Sequence, residues 1–479
     1  WSCNNLKKYP SKDLDAIWKK ILINQFHDII PGSSINLVYK NTYKEYEEIH
    51  SELDKLISLA AKNLFKKSKD HFVLANTLSY NWDGVYDLPN SFNGYKILDE
   101  HNNQVPIQKT KDGICIYVQI PPLTFSTFKI EKATKTKIIK DKNLTLENNY
   151  IKYKFNKNGN LISAYDKEIK KQLVQKPGNI LSLYEDRPND WDAWDIDFFY
   201  REMLLENASV NNFSCGSSGP IKNSIDFSFS IGQSSIKQKI SLDKNSKELK
   251  FDTNVDWKES HKMLRVKFPV EVQSENASFD IQYGYVKRNT HRNTSWDKAK
   301  FEVVGHKYAD LSNNDFGVAL MNDCKYGYMI HDNVIDLNLL RSPKNPDPDA
   351  DQGLHNFIYS LFPHNGDLIN SNVIETSTKL NQSPLMFDGV KTNISMPVSL
   401  TGENIELSVL KKAEKDNDLI VRIYETHGKH ASGKLNVRGS IDECDMMEWK
   451  KVNNNSNGKS QIKIKLKPFE IKTYRIKPN

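Results

Sequence analysis

The stretch LDAIWKKILINQFHDIIPGSSINLVYKNTY, residues 14–43, decides how the N-terminal part of the chain folds. At about 100° per residue on a helix, its apolar positions form one stripe and His27 lies on the opposite side. The stripe consists of Leu14, Trp18, Ile21, Leu22, Gln25 and Ile29. Ile23 and Ile30 flank His27, so this helix is apolar on two sides. A helix of that kind is normally held between two bodies, and His27 is therefore predicted to face a second surface.

Pro31-Gly32 is a stop signal, so the first helix is predicted to run up to it. Ser33 or Ser34 can cap a second helix, because a serine oxygen can accept a hydrogen bond from the first free backbone N–H groups. The apolar positions of that second helix keep helical spacing: Ile35, Val38, Tyr39, Tyr46 and Ile49. The sequence thus predicts two consecutive helices within a helical segment of residues 1–68.

His27 and Asp28 have two interpretations. A single His-Asp pair on a helix is more often a structural hydrogen-bonded pair than a metal site. No second histidine follows or precedes His27 by three or four residues, so a metal site cannot close within this helix. Any metal bound by His27 needs further ligands from elsewhere.

Composition describes a multi-domain protein with a polar surface. The 479 residues exceed what one core needs and suggest three or four domains. Hydrophobic residues make up 38%, and no apolar run approaches the ~20 residues that span a bilayer. The net charge of +7 is spread along the chain, whereas nucleic-acid binding would concentrate basic residues on one face. Membrane and nucleic-acid partners are therefore not expected.

Five cysteines, few and odd in number, fit a reducing compartment better than a disulfide framework. They are far apart in sequence and include no CxxC pair: Cys3, Cys115, Cys215, Cys324 and Cys444. The sequence also contains no G-x-S-x-G elbow, phosphate loop or dinucleotide fingerprint. A serine hydrolase or a nucleotide-binding enzyme is therefore not supported.

From His71 onward the hydrophobic period changes from helical to alternating, which predicts strands. The fold class is therefore mostly β with an N-terminal helical segment, part of a three-helix bundle. The predicted domains are the helical domain at 1–68, a small β-sandwich at 69–135, a large β-sandwich at 136–400 and a C-terminal β-domain at 401–479. Asn158-Gly159, between two alternating runs, predicts a hairpin in the large sandwich.

The loop at 191–195 carries two indoles and two carboxylates within five residues, WDAWD. Sugars have apolar C–H faces that stack on indole and hydroxyls that hydrogen-bond to carboxylates, so this mixture suits a pyranose. A loop held by buried tryptophans with capping aspartates is about equally compatible with the pattern.

Asp347, Asp349 and Asp351 alternate in a loop that ends at Gln352-Gly353. This spacing lacks the glycine and the distal glutamate of a helix-loop-helix calcium site, so a shaped loop beside a cleft is preferred. His291 and His306 are fifteen residues apart among strands and are interpreted as packing residues.

Several long segments, in order, resemble family 38 glycoside hydrolases, the retaining α-mannosidases, in their bacterial and cytosolic branch. The first is WKKILINQFHDIIPGSSINLVY at 18–39. The others are WDAWDID at 191–197, HRNTSWDKAKFEVVGHKYADLS at 291–312, GVALMNDCKYGY at 317–328 and LLRSPKNPDPDADQG at 339–353. The likeness runs from about residue 10 to near the C-terminus.

This resemblance implies retaining hydrolysis of terminal α-mannosides by two carboxylates through a covalent glycosyl-enzyme. In the family, both carboxylates and most metal ligands come from an N-terminal α/β barrel, which this chain lacks. No catalytic residue is therefore expected here, and the barrel, either from the same protein or from a separate chain, is an expected partner. The large sandwich is expected to be galactose-mutarotase-like, the location cytoplasmic, and a homo-oligomer is compatible with the branch.

The resemblance also implies roles for individual residues. His27 matches the family's metal ligand from the helical domain, the metal being a divalent cation, usually zinc. Asp28 matches a contact to substrate hydroxyls beside the metal. Trp194, Asp195 and Gln352 are the further expected substrate contacts. Two rival hypotheses remain: a non-catalytic carbohydrate-binding β-sandwich protein, and a scaffold half whose only partner is the barrel.

Overall fold

The computed structural model describes residues 9–139, 143–174, 176–392, 396–453 and 459–477. Cys3 lies outside these residues. Strands predominate, as the alternating sequence pattern predicts. Four α-helices are described: α1 (Ser11–Asn24), α2 (Asn36–Leu64), α3 (Ser295–Ala299) and α4 (Val373–Asn381). Three short 3-10 helices are also described, at Asn90–Phe92, Phe198–Glu202 and Leu368–Asn370. None of them is both long and apolar enough to cross a bilayer.

Helices α1 and α2 form an antiparallel hairpin whose contacts are largely polar. Asn24, at the end of α1, is buried and donates to Glu45 at 2.7 Å and accepts from Thr42 at 2.8 Å. One turn earlier on α1, Lys20 pairs with Glu48 at 2.5 Å. Ile17 is the apolar side chain of α1 that is buried against the hairpin. The two helices are thus linked by the buried Asn24 side chain and by an exposed ion pair, while much of their apolar surface stays exposed.

Two predictions for this segment are wrong in detail. Helix α1 ends at Asn24 and not at Pro31-Gly32. The reason is that residues 25–32 form tighter turns, in which Ile29 and Ile30 both donate to the Phe26 carbonyl. Ile35 occupies the N-cap position of α2 without a side-chain capping bond. Ser33 and Ser34 do not cap it, because their hydroxyls donate to the Asp28 carbonyl instead.

The first eight strands follow the hairpin. They are β1 (Phe65–Lys66), β2 (His71–Asn76), β3 (Trp82–Leu88), β4 (Tyr95–Leu98), β5 (Gln104–Val105), β6 (Ile107–Lys109), β7 (Ile114–Ile120) and β8 (Thr124–Lys132).

The next nineteen strands are β9 (Thr145–Glu147), β10 (Ile151–Phe155), β11 (Leu161–Asp166), β12 (Lys171–Gln172), β13 (Ile180–Glu185), β14 (Leu204–Asn207), β15 (Ser209–Cys215), β16 (Lys222–Ile231), β17 (Ser234–Asp243), β18 (Leu249–Trp257), β19 (Lys262–Pro269), β20 (Asn276–Ile281), β21 (Gly284–Asn289), β22 (Val303–Val304), β23 (Tyr308–Ser312), β24 (Phe316–Asn322), β25 (Gly327–His331), β26 (Val334–Arg341) and β27 (Gly353–Asn365).

The last ten strands are β28 (Leu385–Asp388), β29 (Val390–Lys391), β30 (Val398–Gly402), β31 (Ile405–Lys412), β32 (Leu419–Glu425), β33 (Ala431–Val437), β34 (Ser440–Cys444), β35 (Lys451–Asn453), β36 (Gln461–Leu466) and β37 (Ile471–Lys477).

Strands β2–β8 build two small sheets, ordered β28-β2-β8-β4-β5 and β3-β7-β6. Strand β28, which follows the central strands in sequence, pairs with β2, and β29 pairs with β1. The first sandwich is therefore completed by a segment distant in sequence. The division into four domains stays a prediction.

The central region contains three sheets: a nine-stranded sheet, ordered β15-β16-β17-β18-β27-β24-β23-β20-β21, a six-stranded sheet, ordered β14-β13-β19-β26-β25-β22, and a four-stranded sheet, ordered β12-β11-β10-β9. Their inward-facing side chains belong to one large core cluster. Buried and more exposed residues alternate along β17 and β18, as expected for strands with one face against a core.

The predicted hairpin around Asn158-Gly159 is confirmed by the antiparallel pairing of β10 with β11. Gly159 has φ 74°, and a Cβ there would lie 2.7 Å from the Phe229 ring, so only glycine fits both the turn and the core. The last strands form sheets ordered β30-β33-β36 and β31-β32-β37-β34-β35, with their own core cluster.

Candidate functional site

The segment after α1 holds Asp28 in place through its backbone. The Asp28 carbonyl accepts from the Ser34 hydroxyl at 2.6 Å and from the Ser33 hydroxyl at 3.3 Å. The Tyr39 hydroxyl donates to the adjacent Ile29 carbonyl at 3.2 Å. These bonds use only the backbone carbonyl of Asp28. Its carboxylate therefore stays available for contacts outside the helical hairpin.

His27 projects from the same turn into the open. Its side chain is 78% exposed, and its Nε2 atom lies 3.5 Å from Oδ2 of Asp28. The imidazole ring packs against Phe26, with ring centroids 4.3 Å apart. His27 thus faces away from its own helices, as the sequence predicts, although it does so from a turn and not from a helix.

The WDAWD loop follows β13 and is shaped by a tight turn. Trp191 has φ 57°, and its carbonyl accepts from the backbone N–H groups of Trp194 at 2.8 Å and Asp195 at 2.9 Å. The two indoles meet edge to face, with centroids 6.1 Å apart. Both remain substantially exposed, so the loop is not held by buried tryptophans.

Arg341, at the end of β26, holds this loop from behind. Its guanidinium donates to the carbonyls of Asp192 at 2.8 Å, Ala193 at 3.3 Å and Asp195. The same guanidinium binds both carboxylate oxygens of Asp186, which is 1% exposed. Burial raises the pKa of Asp186 above its usual value, and Arg341 opposes that shift. One buried ion pair therefore fixes the backbone of the loop.

Asp192 ties the WDAWD loop to the aspartate-rich loop that follows β26. Its Oδ2 atom accepts from the backbone N–H groups of Lys344 at 2.6 Å and Asn345 at 3.0 Å. Its Oδ1 atom lies 3.4 Å from Nδ1 of His261, and neither buried atom has a hydrogen-bond partner within the described part of the chain. Asp192 therefore joins the two loops into one surface.

The indole of Trp194 connects this surface to the helical hairpin. Its Nε1 atom is 3.4 Å from Oδ1 of Asp28, across 166 positions of sequence. A second link joins Asn36, at the start of α2, to Asp347 at 3.0 Å. The structure thus brings together three segments that the sequence analysis selected separately: residues 25–28, 191–195 and 347–352.

Not every expected contact is equally available. The Gln352 amide is used within the protein, because its Nε2 atom donates to the Glu259 carbonyl. The Asp195 carbonyl is held by Arg341, and the Asp195 residue is exposed on the same loop as Trp194. Asp347 accepts from Asn36 and from the backbone N–H of Asp349, which supports a shaped loop and leaves fewer oxygens for a cation. The substrate roles of these residues stay predictions.

The residues present fit part of a metal site. An imidazole nitrogen and a carboxylate oxygen, both accessible, are donors that zinc accepts. No group of three or more His, Cys, Asp or Glu residues that could hold an ion occurs in the described ranges. His27 could therefore bind a metal only together with ligands from outside the described ranges, and Asp28 lies beside it.

Three residues that shape this site were not predicted from the sequence: Arg341, Asn36 and His261. A signal existed for Arg341, because it ends a strand immediately before a Pro- and Asp-rich loop within LLRSPKNPDPDADQG. Asn36 and His261 carry no such local signal, since their roles depend on partners more than 60 residues away.

Three family models match this chain. Residues 2–64 match the alpha mannosidase middle domain, residues 146–349 the glycosyl hydrolases family 38 C-terminal domain, and residues 404–474 the family 38 C-terminal beta sandwich domain. Together these matches cover both the hairpin that carries His27 and the central sheets that carry Trp194.

Two proteins named as α-mannosidases align with almost the entire chain. Alpha-mannosidase G of Dictyostelium discoideum is 33% identical over 98% of this chain and 48% of its own length. Human Alpha-mannosidase 2C1 is 32% identical over 97% of this chain and 45% of its own length. The chain thus spans about half the length of these relatives.

A solved structure shows the same fold. An alpha-mannosidase from Enterococcus faecalis V583 superimposes with a TM-score of 0.81 at 17% identity, over 99% of this chain and 64% of the other. A second structure, of an Enterococcus faecalis protein in glycosyl hydrolase family 38, gives a TM-score of 0.80 at 17% identity, over 99% of this chain and 67% of the other.

Proposed function

Because the chain belongs to glycosyl hydrolase family 38, we propose that it supplies one metal ligand and one wall of the sugar cleft to a retaining α-mannosidase. The observation that carries the proposal is the contact between Trp194 and Asp28. This contact places an exposed indole face, a carboxylate and the neighbouring His27 imidazole at one site. An apolar face beside hydroxyl-binding carboxylates is the combination that a pyranose requires.

Each residue has one role in this proposal. His27 would bind a divalent metal, proposed to be zinc, which when bound would polarise and hold sugar hydroxyls. Asp28 accepts hydrogen bonds from those hydroxyls while its other carboxylate oxygen is oriented by the Trp194 N–H. Trp194 offers its ring face to the C–H side of the sugar. Asp195 and Gln352 border the same cleft.

The nucleophile and the acid/base of a retaining glycosidase are two carboxylates about 5–5.5 Å apart. We assign both to an N-terminal α/β barrel, either of the same protein or of a separate chain. The helical hairpin offers a surface for that barrel, since large apolar side chains around His27 are exposed. Ile23 is 64% exposed, Ile30 61% and Leu22 63%. Exposed apolar patches of this kind mark protein interfaces.

A reducing, cytoplasmic location is part of the proposal. Cys115, Cys324 and Cys444 carry free thiols. Structural disulfides form in oxidising compartments, whereas reduced thiols are the norm in the cytosol.

The test uses the 479-residue chain with and without a co-expressed family 38 barrel polypeptide. We expect no hydrolysis of 4-nitrophenyl α-mannoside by the chain alone and no tight zinc binding in calorimetry, because one histidine holds zinc weakly. The assembled pair should hydrolyse the substrate and bind zinc.

Turnover by the chain alone would contradict the assignment of catalysis to the barrel. Metal-independent binding of mannose, without any activity in the assembled pair, would favour the rival hypothesis of a carbohydrate-binding protein. Failure of the chain to associate with any barrel would exclude the proposed shared site.

A further inference from the structure

A large cleft lies between the small and central β-sheets, at the end of the molecule away from the candidate active site. It encloses about 720 Å³, within the range of roughly 300–1,000 Å³ typical of small-molecule sites. Its borders are β3 and β7, the turn between β17 and β18, the last residues of β27, and the start of α4. It is therefore built from several segments distant in sequence.

Strand β27 separates this cleft from the site described above. The strand begins at Gly353, next to Gln352 of the candidate site, and its last residues, His364 and Asn365, line the cleft. Twelve steps along a strand at about 3.3 Å per residue give a separation of about 40 Å. Neighbouring sugar units of one chain cannot occupy both places.

The cleft combines aromatic walls with amide and hydroxyl groups. Two aromatic members of the lining, Tyr117 and Tyr150, are partly exposed, whereas Trp82 and Phe362 are buried in core clusters. Its amide-bearing members are Asn245, Asn365, Asn370 and Asn372. Aromatic faces suit the C–H side of a pyranose, and amides both donate to and accept from hydroxyls.

The charges around the cleft are already paired, which disfavours a charged ligand. Lys379 lies 2.7 Å from Asp83, and Lys247 lies 2.6 Å from Glu168. Lys250 lies 3.4 Å from Glu248 and 3.7 Å from Asp243. An additional ion would have to break one of these pairs, whereas a neutral polyhydroxylated molecule would not.

We propose that this cleft binds one pyranose residue of a neutral oligosaccharide, as a second carbohydrate site remote from the candidate active site. The inference does not rest on the proposed hydrolysis.

The experiment measures binding by the full 479-residue chain, without a barrel, using saturation-transfer NMR and calorimetry. The probes are methyl α-mannopyranoside and methyl β-glucopyranoside, with inositol hexakisphosphate as a charged comparator. We expect saturation transfer from at least one glycoside, with a dissociation constant on the order of 1 mM as for small neutral ligands, and none from the comparator.

Variants locate the binding site. Tyr150→Ala should weaken binding at least tenfold, while Tyr150→Phe should retain it because the ring face remains. Trp194→Ala should leave this binding unchanged, since that residue lies at the other end of β27. Thermal unfolding of each variant checks that the fold is intact, and hydrogen exchange should show added protection in the β17–β18 turn when the glycoside is present.

Binding lost in Trp194→Ala but kept in Tyr150→Ala would overturn the proposal by assigning the sugar to the candidate active site. Absence of transfer from both glycosides would also overturn it and leave water as the occupant of the cleft. Neither result would affect the proposed α-mannosidase function, which is tested by turnover of the assembled pair.

Discussion

Nε1 of Trp194 lies 3.4 Å from Oδ1 of Asp28, so a loop of the central β-sheets touches the turn after the first helix. Neither residue is held there by its immediate neighbours alone. Arg341 fixes the loop that carries Trp194, and Ser33 and Ser34 fix the turn that carries Asp28. The contact therefore depends on how the central sheets and the helical hairpin pack against each other.

Trp194→Phe removes the N–H donor and retains an aromatic face. In the assembled enzyme we expect kcat/KM for 4-nitrophenyl α-mannoside to fall about tenfold, which corresponds to about 1.4 kcal/mol, the value of one ordinary hydrogen bond. Trp194→Ala should cost more, because the stacking face is lost as well. The matched control is Trp296→Phe, since Trp296 is exposed outside the site. Equal losses in both phenylalanine variants would refute the role of the indole N–H.

His27→Ala should remove a metal ligand without affecting the fold. The side chain is 78% exposed, so we expect an unchanged unfolding temperature of the chain. The assembled enzyme should bind zinc at least tenfold more weakly and lose activity in proportion at limiting zinc. His50→Ala, an exposed histidine on α2, serves as the control. Unchanged zinc affinity in His27→Ala would show that the metal is held elsewhere.

Arg341→Lys should destabilise the chain and loosen the WDAWD loop. Lysine cannot reproduce the planar fork that binds Asp186 and three carbonyls, and the buried carboxylate is left poorly paired. We expect a loss of about 2–4 kcal/mol in the free energy of unfolding by denaturant. Arg438→Lys, at an exposed position, should change it by less than about 0.5 kcal/mol. A small loss at Arg341 would mean that the loop is held by other contacts.

Asn24→Ala should separate the two helices of the hairpin. The buried amide bridges Glu45 and Thr42, and its removal leaves both of them unpaired at the interface. We expect about 1–3 kcal/mol of lost stability and faster amide exchange in residues 25–35. Asn63→Ala on the exposed face of α2 removes only a bond to its own helix, so it should be nearly neutral. Unaltered exchange in 25–35 would contradict this coupling.

Burial raises the pKa of the Cys115 thiol from 9.0 to about 12. A raised thiol pKa keeps the folded state protonated where the unfolded chain has already lost its proton. Ionisation of Cys115 therefore leaves the free energy of unfolding unchanged below pH 9 and lowers it as the pH rises from about 9 towards 12. At one pH unit above the unfolded value, the cost is about 1.4 kcal/mol.

The measurement compares denaturant unfolding of the wild-type chain and Cys115→Ala at pH 8 and pH 10. The difference in free energy of unfolding between the two proteins should be smaller at pH 10 than at pH 8, because only the wild type has a Cys115 thiol whose ionisation lowers it. Iodoacetamide at pH 8 should leave Cys115 unmodified in the folded chain, by peptide mass spectrometry. Rapid alkylation of folded protein would show that the thiol is neither buried nor shifted.

The two N-terminal helices and the change to strands followed from hydrophobic period alone, and the hairpin at Asn158-Gly159 followed from turn chemistry. These features are local, since each depends on residues a few positions apart. The end of α1 was missed for the same reason. Pro31-Gly32 is a strong local stop, but the chain leaves the helix at Asn24, where a buried amide pairs with α2 and the next residues turn more tightly. Helices α3 and α4, which lie among the strands, were not predicted.

The sequence by itself therefore determined the fold class, the family resemblance and the residue types of the cleft, because periodicity and motifs are written along the chain. Only the tertiary structure decided that Trp194 contacts Asp28, that Arg341 rather than a local turn residue fixes the loop, and that the Gln352 amide is bound to Glu259. Such contacts join residues 90 or more positions apart, and their geometry depends on how whole sheets and helices pack, which no local pattern records.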